Sequence, residues 1–268
     1  MLINMNKIIF YYQTFSSLKP IIDKNIVTHI HLSAIHFGNN NDGSPYIHLN
    51  DYPPSSKKFN NMWTEIKECQ KNGIKIILML GGAGGAYGDL FEKYNIYFPM
   101  LIDTIKAYNL DGIDLDIEES VKLQDIKKLI VDIKNNTNKK FIISMAPLLS
   151  SLQQDIPGMG GFVYKDLFNS EEGKYIDYFN VQAYYSYTSQ DYQEMIKNNY
   201  PNSKLVMGMI YSQDLDQCIE ELKLMVTQNK KIGGVFVWEY CFADNNNPLN
   251  WAIKINQTLN NRNYCILQ

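Results

Sequence analysis

Between Asp111 and Ser120 the chain reads DGIDLDIEES, and from Ile113 to Glu118 aliphatic and acidic residues alternate. Alternate side chains of a strand share a face, so Asp114, Asp116 and Glu118 point one way and Ile113, Leu115 and Ile117 the other. A solvated edge strand could carry such a pattern, but nothing about an edge requires Asp, Asp and Glu in that order. The other reading is a strand whose acidic face lines an interior site, and the rest of the chain has to supply that interior.

Working outward from this strand, β-rich runs alternate with helical ones. The runs are KIIFYY, THIHLSAIHF, IKIILMLGG, GIDLDIE, FIISMAP, DYFNVQAYY, KLVMGMIY and GGVFVWEY, eight candidate strands. Leu123, Ile126, Leu129, Ile130 and Ile133 recur at helical spacing after Ser120, a candidate N-cap, and a second amphipathic segment runs from Leu215 to Val226. Eight strands in 268 residues leave about 33 residues per unit, enough for a strand, a helix and two short loops. This predicts an α/β fold, a single (β/α)8 TIM barrel, with one domain over residues 1–268; an open doubly wound sheet is the structural alternative. Turn signals on both sides of YIHL, after the second strand, predict an inserted hairpin.

Composition narrows the function classes. The net charge is −3, and Arg262 is the single arginine among 25 Lys and Arg residues, so no guanidinium forks are available for phosphate or base edges and nucleic-acid binding is not expected. Cys69, Cys218, Cys241 and Cys265 lack metal-ligand spacing and imply no disulfide framework. The longest apolar run, residues 76–87, is short and glycine-rich, which predicts no membrane span. The first residues show no apolar region followed by a small-residue cleavage site, so a cytoplasmic location or release by a non-standard route is expected. A monomer is expected.

In such barrels the site lies at the carboxyl ends of the strands. Glu118 ends the inward set of the fourth barrel strand, with Asp116 and Asp114 beneath it. Three neighbouring carboxyls out of water cannot all be ionised cheaply, so a deeper Asp should hold or share a proton; Asp114, the lowest, is expected to be neutral at pH 7, and Glu118 is poised as a general acid. Other strand ends suit a sugar. Asn180, Gln182 and Tyr184 share one face, and the last strand closes on Trp238 and Glu239, the indole offering an apolar plate for a sugar ring. The GGAGGAYG loop invites a phosphate reading, but Tyr87 stands where the last glycine of that motif belongs, and close backbone packing accounts better for Gly81 and Gly82. His29, His31, His36 and His48 match no metal spacing, and His29 and His31 should sit on the inner face of the second strand. No metal and no cofactor are expected.

At this point the chain resembles glycoside hydrolase family 18, the chitinases and endo-β-N-acetylglucosaminidases. Residues 111–118 match that family's D-G-x-D-x-D-x-E signature in full; LMLGGAGG resembles its S-x-G-G segment, Gln182 to Tyr184 its Gln/Met-x-Tyr, and GGVFVWEY its last strand. The resemblance implies a retaining glycosidase, with chitin oligosaccharides or the N-glycan chitobiose core as the N-acetylglucosamine-containing partner. It also implies roles: Glu118 as proton donor, Asp116 orienting the acetamido group, Asp114 supporting Asp116, and Tyr184 holding the acetamido carbonyl. Tyr11 (or Tyr12), Gln182 and Trp238 would line the sugar subsite, with Gly81, Gly82, Met145 and Glu239 as further substrate-binding candidates. Two departures concern the subsites: Tyr185 follows the site tyrosine where Asp or Asn is frequent, and Ile35 stands where an aromatic is frequent. A non-catalytic sugar-binding protein is the rival reading, against which the retained Glu118 argues.

Overall fold

The computed structural model describes residues 6–229 and 231–260; Arg262 and Cys265 lie outside the described residues. Among the described residues there are nine strands: β1 (Lys7–Tyr12), β2 (His29–Asn39), β3 (Pro45–Leu49), β4 (Lys75–Gly81), β5 (Gly112–Asp116), β6 (Ile142–Met145), β7 (Tyr178–Gln182), β8 (Leu205–Ile210) and β9 (Gly234–Trp238). Eight of them form a parallel ring, β1-β2-β4-β5-β6-β7-β8-β9, closed by β9 pairing back onto β1. This is the closed (β/α)8 barrel, and it replaces the open-sheet alternative. β3 pairs antiparallel with the end of β2, Ile35 facing Leu49 and Asn39 facing Pro45, which is the inserted hairpin.

The alternation of each strand divides the apolar residues between two layers. Ile8, Phe10, Ile113, Leu115 and Met145 face outward into a large core shared with the helices. Helix Leu123–Asn136 contributes Ile126, Leu129, Ile130 and Ile133 to that layer, and helix Leu215–Gln228 contributes Cys218, Leu222 and Met225. Ile9, Tyr11, Met79, Tyr178, Val206 and Phe236 face inward and fill the barrel. The filling is tight: a Cβ on Gly208 of β8 would lie 2.0 Å from the Phe236 ring on neighbouring β9, so the absent side chain is what admits the aromatic one. No helix among the described residues is long and apolar enough to cross a membrane.

Two sequence expectations are corrected here. β5 ends at Asp116, so Glu118 sits on the segment just beyond the strand. Ser120 is not the helix N-cap; the helix starts at Leu123 with Lys122 at its N-cap position and no side-chain cap. The reason is local: the Val121 amide donates to the Gly160 carbonyl at 3.0 Å, which holds the chain extended for one more step before it can turn into helix.

Candidate active site

The site is built upward from a polar layer inside the barrel. Asp114 is 0% exposed. Its Oδ2 accepts from the Tyr11 hydroxyl at 2.7 Å, and its Oδ1 accepts from Ser144 Oγ at 2.6 Å and Asn180 Nδ2 at 3.1 Å. His31 Nδ1 lies 3.4 Å from Oδ2, and the other ring nitrogen lies 3.2 Å from the Tyr178 hydroxyl. Burial alone would raise the Asp114 pKa. The His31 imidazole and the hydroxyls of Ser144 and Tyr11 outweigh it, and the carboxyl titrates below its ordinary range. Asp114 is therefore the ionised member of the acid ladder, which corrects the expectation that it is neutral. A carboxylate that accepts from donors on β1, β6 and β7 and faces the His31 ring on β2 is better placed to stay charged than its depth suggested.

Asp116 shows the opposite behaviour. It is buried, its Oδ1 accepts from Gln182 Nε2 at 3.2 Å, and its pKa is pushed well above the ordinary carboxylate range, first by burial and then by the charges of Glu118 and Asp114. The shared proton thus resides one step higher than expected, beside Glu118. Tyr184 is likewise held protonated, by burial and then by Asp116, Glu118 and Asp114, which leaves its hydroxyl a donor.

Above this layer opens a cleft of about 260 Å³, lined by Asp116, Glu118, Gln182, Tyr184 and Trp238 together with Gly81 and Gly82. Gly81 adopts φ +95°, and a Cβ there would lie 2.3 Å from the Asp116 carbonyl oxygen. The Gly82 amide donates to that same carbonyl at 2.9 Å. The loop after β4 therefore lies directly against the end of β5, an approach only glycine permits. Gln182 Nε2 also donates to the Ala146 carbonyl, tying the amide between β6 and β7.

Three candidates lie elsewhere. Met145 faces outward into the helix-side core, because Ser144 takes the inward position on β6. Tyr11 is not at the cleft wall; it lies beneath it with its ring 5.4 Å from Trp238 and its hydroxyl on Asp114, while Tyr12 points outward and donates to the Ser16 carbonyl. Glu239 is 2% exposed, and its carboxylate accepts from Gln13 N, Thr14 N and Thr14 Oγ1, which fastens the loop after β1 to the end of β9. Of the departures, Tyr185 is fully exposed and Ile35 is buried on the outward face of β2.

Sequence reading missed Glu119 and Gln13, and gave His36 no place at the cleft. Glu119 follows Glu118 yet belongs to another network: its Oε1 accepts from the Ala86 and Tyr87 amides at 2.5 and 2.7 Å, and its Oε2 from the Gly88 amide at 3.1 Å. It anchors the glycine loop that walls the cleft. His36 lines the cleft with Nδ1 2.6 Å from the Gly85 carbonyl. An acid that meets a glycine loop one strand-helix unit earlier in the chain leaves no local signal.

The architecture defines a class: a parallel barrel whose C-terminal end gathers a carboxylate ladder, a protonated tyrosine and an indole plate in one cleft. The family model described as glycosyl hydrolases family 18 matches residues 7–220, and the chain belongs to that family. It is 26% identical to chitinase 2 of Rhizopus oligosporus over 276 residues, which covers 88% of this chain and 48% of that protein. The chain thus spans about half the length of the Rhizopus chitinases it matches. Among solved structures, a fungal endo-β-N-acetylglucosaminidase of glycosyl hydrolase family 18 superposes with a TM-score of 0.84 at 27% identity, covering 95% of this chain and 98% of that one. Chitinase ChiC from Aspergillus fumigatus superposes with a TM-score of 0.82 at 28% identity, covering 95% and 99%.

Proposed function

We propose that the chain is one catalytic unit, a retaining glycosidase that cuts the β-1,4 bond after an N-acetylglucosamine residue, with chitin oligosaccharides as its substrate class. The observation that carries this is the placement of Glu118 and the high-pKa Asp116 in one cleft with Tyr184 and Trp238. A sugar seated on the indole of Trp238 puts its glycosidic oxygen within the reach of Glu118 as general acid. Its 2-acetamido group then meets Asp116 and the Tyr184 hydroxyl. Glu239 and Glu119, the other acids at the strand ends, are engaged by Gln13 and Thr14 and by the amides of residues 86–88, so the nucleophile is the substrate's own acetamide oxygen. That oxygen attacks the anomeric carbon as Glu118 protonates the departing oxygen. Water, deprotonated by Glu118, then opens the cyclic oxazolinium with retention. The Asp116 carboxyl accepts from the acetamide N–H and orients it, and Asp114, kept ionised below, favours the positive charge that develops there.

A second substrate, the N-glycan chitobiose core, is favoured by the likeness to the fungal endo-β-N-acetylglucosaminidase. Product analysis on chitin oligomers beside a high-mannose glycopeptide separates the two. The Glu118→Gln variant tests the catalytic reading itself: it should retain oligosaccharide binding while turnover falls by ~10²-fold or more. Turnover above about a tenth of wild type would remove Glu118 from its role.

A further inference from the structure

A second and larger cleft, of about 620 Å³, lies beside the catalytic one on the same end of the barrel, between the ends of β8 and β9. Ile210, the last residue of β8, borders both clefts. The next residue, Tyr211, donates its backbone N–H to the Trp238 carbonyl at 2.8 Å, so the wall of the second cleft is bonded to the strand that carries the indole plate of the first.

Three features of the second cleft need a cause. Tyr211 and Phe242 are 49% and 41% exposed, yet their rings are held together, centroids 5.1 Å apart and tilted by 43°. Two large aromatic side chains, paired and half in water, present apolar ring faces at the cleft mouth. Asp244, Asn245 and Asn246, which line the same cleft, all adopt left-handed backbone, with φ of 46°, 56° and 66°. Such non-glycine positions each cost on the order of 1 kcal/mol and concentrate where a loop presents groups for use. Finally, Lys254 lies between two carboxylates, 3.5 Å from Asp216 and 3.7 Å from Asp244, and Asp214 lines the cleft as well, so its polar side has one cationic donor among three acceptors and a negative field that disfavours an anion.

Exposed aromatic rings facing three carboxylates and one ammonium, with exposed amides beside them, are chemistry for stacking on a pyranose ring while hydrogen-bonding its hydroxyl and acetamido groups. It suits neither a phosphate, which would meet three acids, nor a purely apolar ligand. We propose that this cleft is a second sugar-binding site, which takes further units of the same N-acetylated polysaccharide on the far side of Ile210 from the bond being cut. The identity of the sugar rests on the proposed function; the paired rings and their polar partners do not. Long chains bridging both clefts gain the second contact intramolecularly, so the site raises kcat/KM for long oligomers and leaves short ones untouched.

The test compares N-acetylglucosamine trimer and hexamer on wild type, Tyr211→Ala, and Tyr211→Ala with Phe242→Ala, each checked for an unchanged thermal melt. The single variant serves if the double one melts early, since Tyr211 lies on the surface. The ratio of hexamer to trimer kcat/KM should fall about tenfold in the double variant, with the trimer value unchanged. In parallel, retardation in a native gel containing soluble acetylated chitin, measured in the Glu118→Gln background, reads binding without turnover and should weaken by a similar factor. An unchanged hexamer-to-trimer ratio together with unchanged retardation overturns the proposal. Weakened retardation in a protein whose wild type cleaves neither oligomer supports the second cleft and overturns the catalytic reading instead.

Discussion

Asp114→Asn isolates the buried charge on which the polarity of the site depends. The carboxylate accepts three hydrogen bonds and faces the His31 ring, and none of these groups reaches solvent. An amide keeps one acceptor oxygen for Ser144 and Asn180 but turns an NH2 toward Tyr11 and removes the charge opposite His31. Leaving a buried polar group unsatisfied costs about 1–3 kcal/mol, and here both the Tyr11 hydroxyl and the incoming amide lose a partner, so a loss near ~3 kcal/mol is expected at pH 7. For a chain of this size that lowers Tm by roughly 6–12 °C. The pH dependence carries the sign. The folded-state pKa of Asp114 is depressed, so its stabilisation is present above the unfolded carboxylate range and is lost as pH falls through the folded value. The gap between wild type and variant in urea unfolding should therefore be widest near neutrality and shrink in acid. Equal stability at pH 7, or a gap that widens on acidification, would refute the assignment of the charge to Asp114.

Asp116→Asn should behave in the reverse manner, losing activity yet gaining stability. Its folded pKa is raised, so the contribution of the neutral carboxyl is intact below the unfolded value and lost as pH rises through the folded one; a permanently neutral Asn restores it. Melts at pH 4 and pH 8 check this, the variant pulling ahead at the higher pH. Glu119→Ala strips the acceptor from the Ala86, Tyr87 and Gly88 amides, of which the first two belong to buried residues. Because the carboxylate is half exposed and water enters in its place, about 2 kcal/mol of stability should go. The freed loop walls the cleft, so kcat should fall with it, whereas a loss of stability at unchanged kcat would show that the loop does not shape the site.

Much of this was legible in the chain itself, for stated reasons. Eight strands and the hairpin followed from hydrophobic period and turn residues, because each strand is buried on both faces and must be apolar outward whatever lies inward. The ladder of Asp114, Asp116 and Glu118 followed from the period of two alone. The protonation order did not, because it depends on Ser144, Asn180, His31 and Tyr11, which reach Asp114 from four other strands. Met145 was misplaced because a four-residue strand is too short to show its phase, and the inward position fell to Ser144. Glu239 follows Trp238 in sequence, but its carboxylate turns back to the loop after β1. Ser120 looked like a cap until the bond from Val121 to Gly160 took up the turn.

The central claim is that the substrate's acetamide supplies the nucleophile over Trp238. The measurement that reaches it most directly is the rate of cleavage of fully N-acetylated chitotetraose beside its fully deacetylated counterpart under identical conditions. Removal of the acetyl groups leaves the glycosidic bond, the ring and Glu118 in place but takes away the attacking oxygen and leaves a free amine that cannot form the oxazolinium, so the account expects the deacetylated oligomer to be cut at least ~10²-fold more slowly. Cleavage of both at comparable rates would contradict it and require an enzyme carboxylate as the nucleophile.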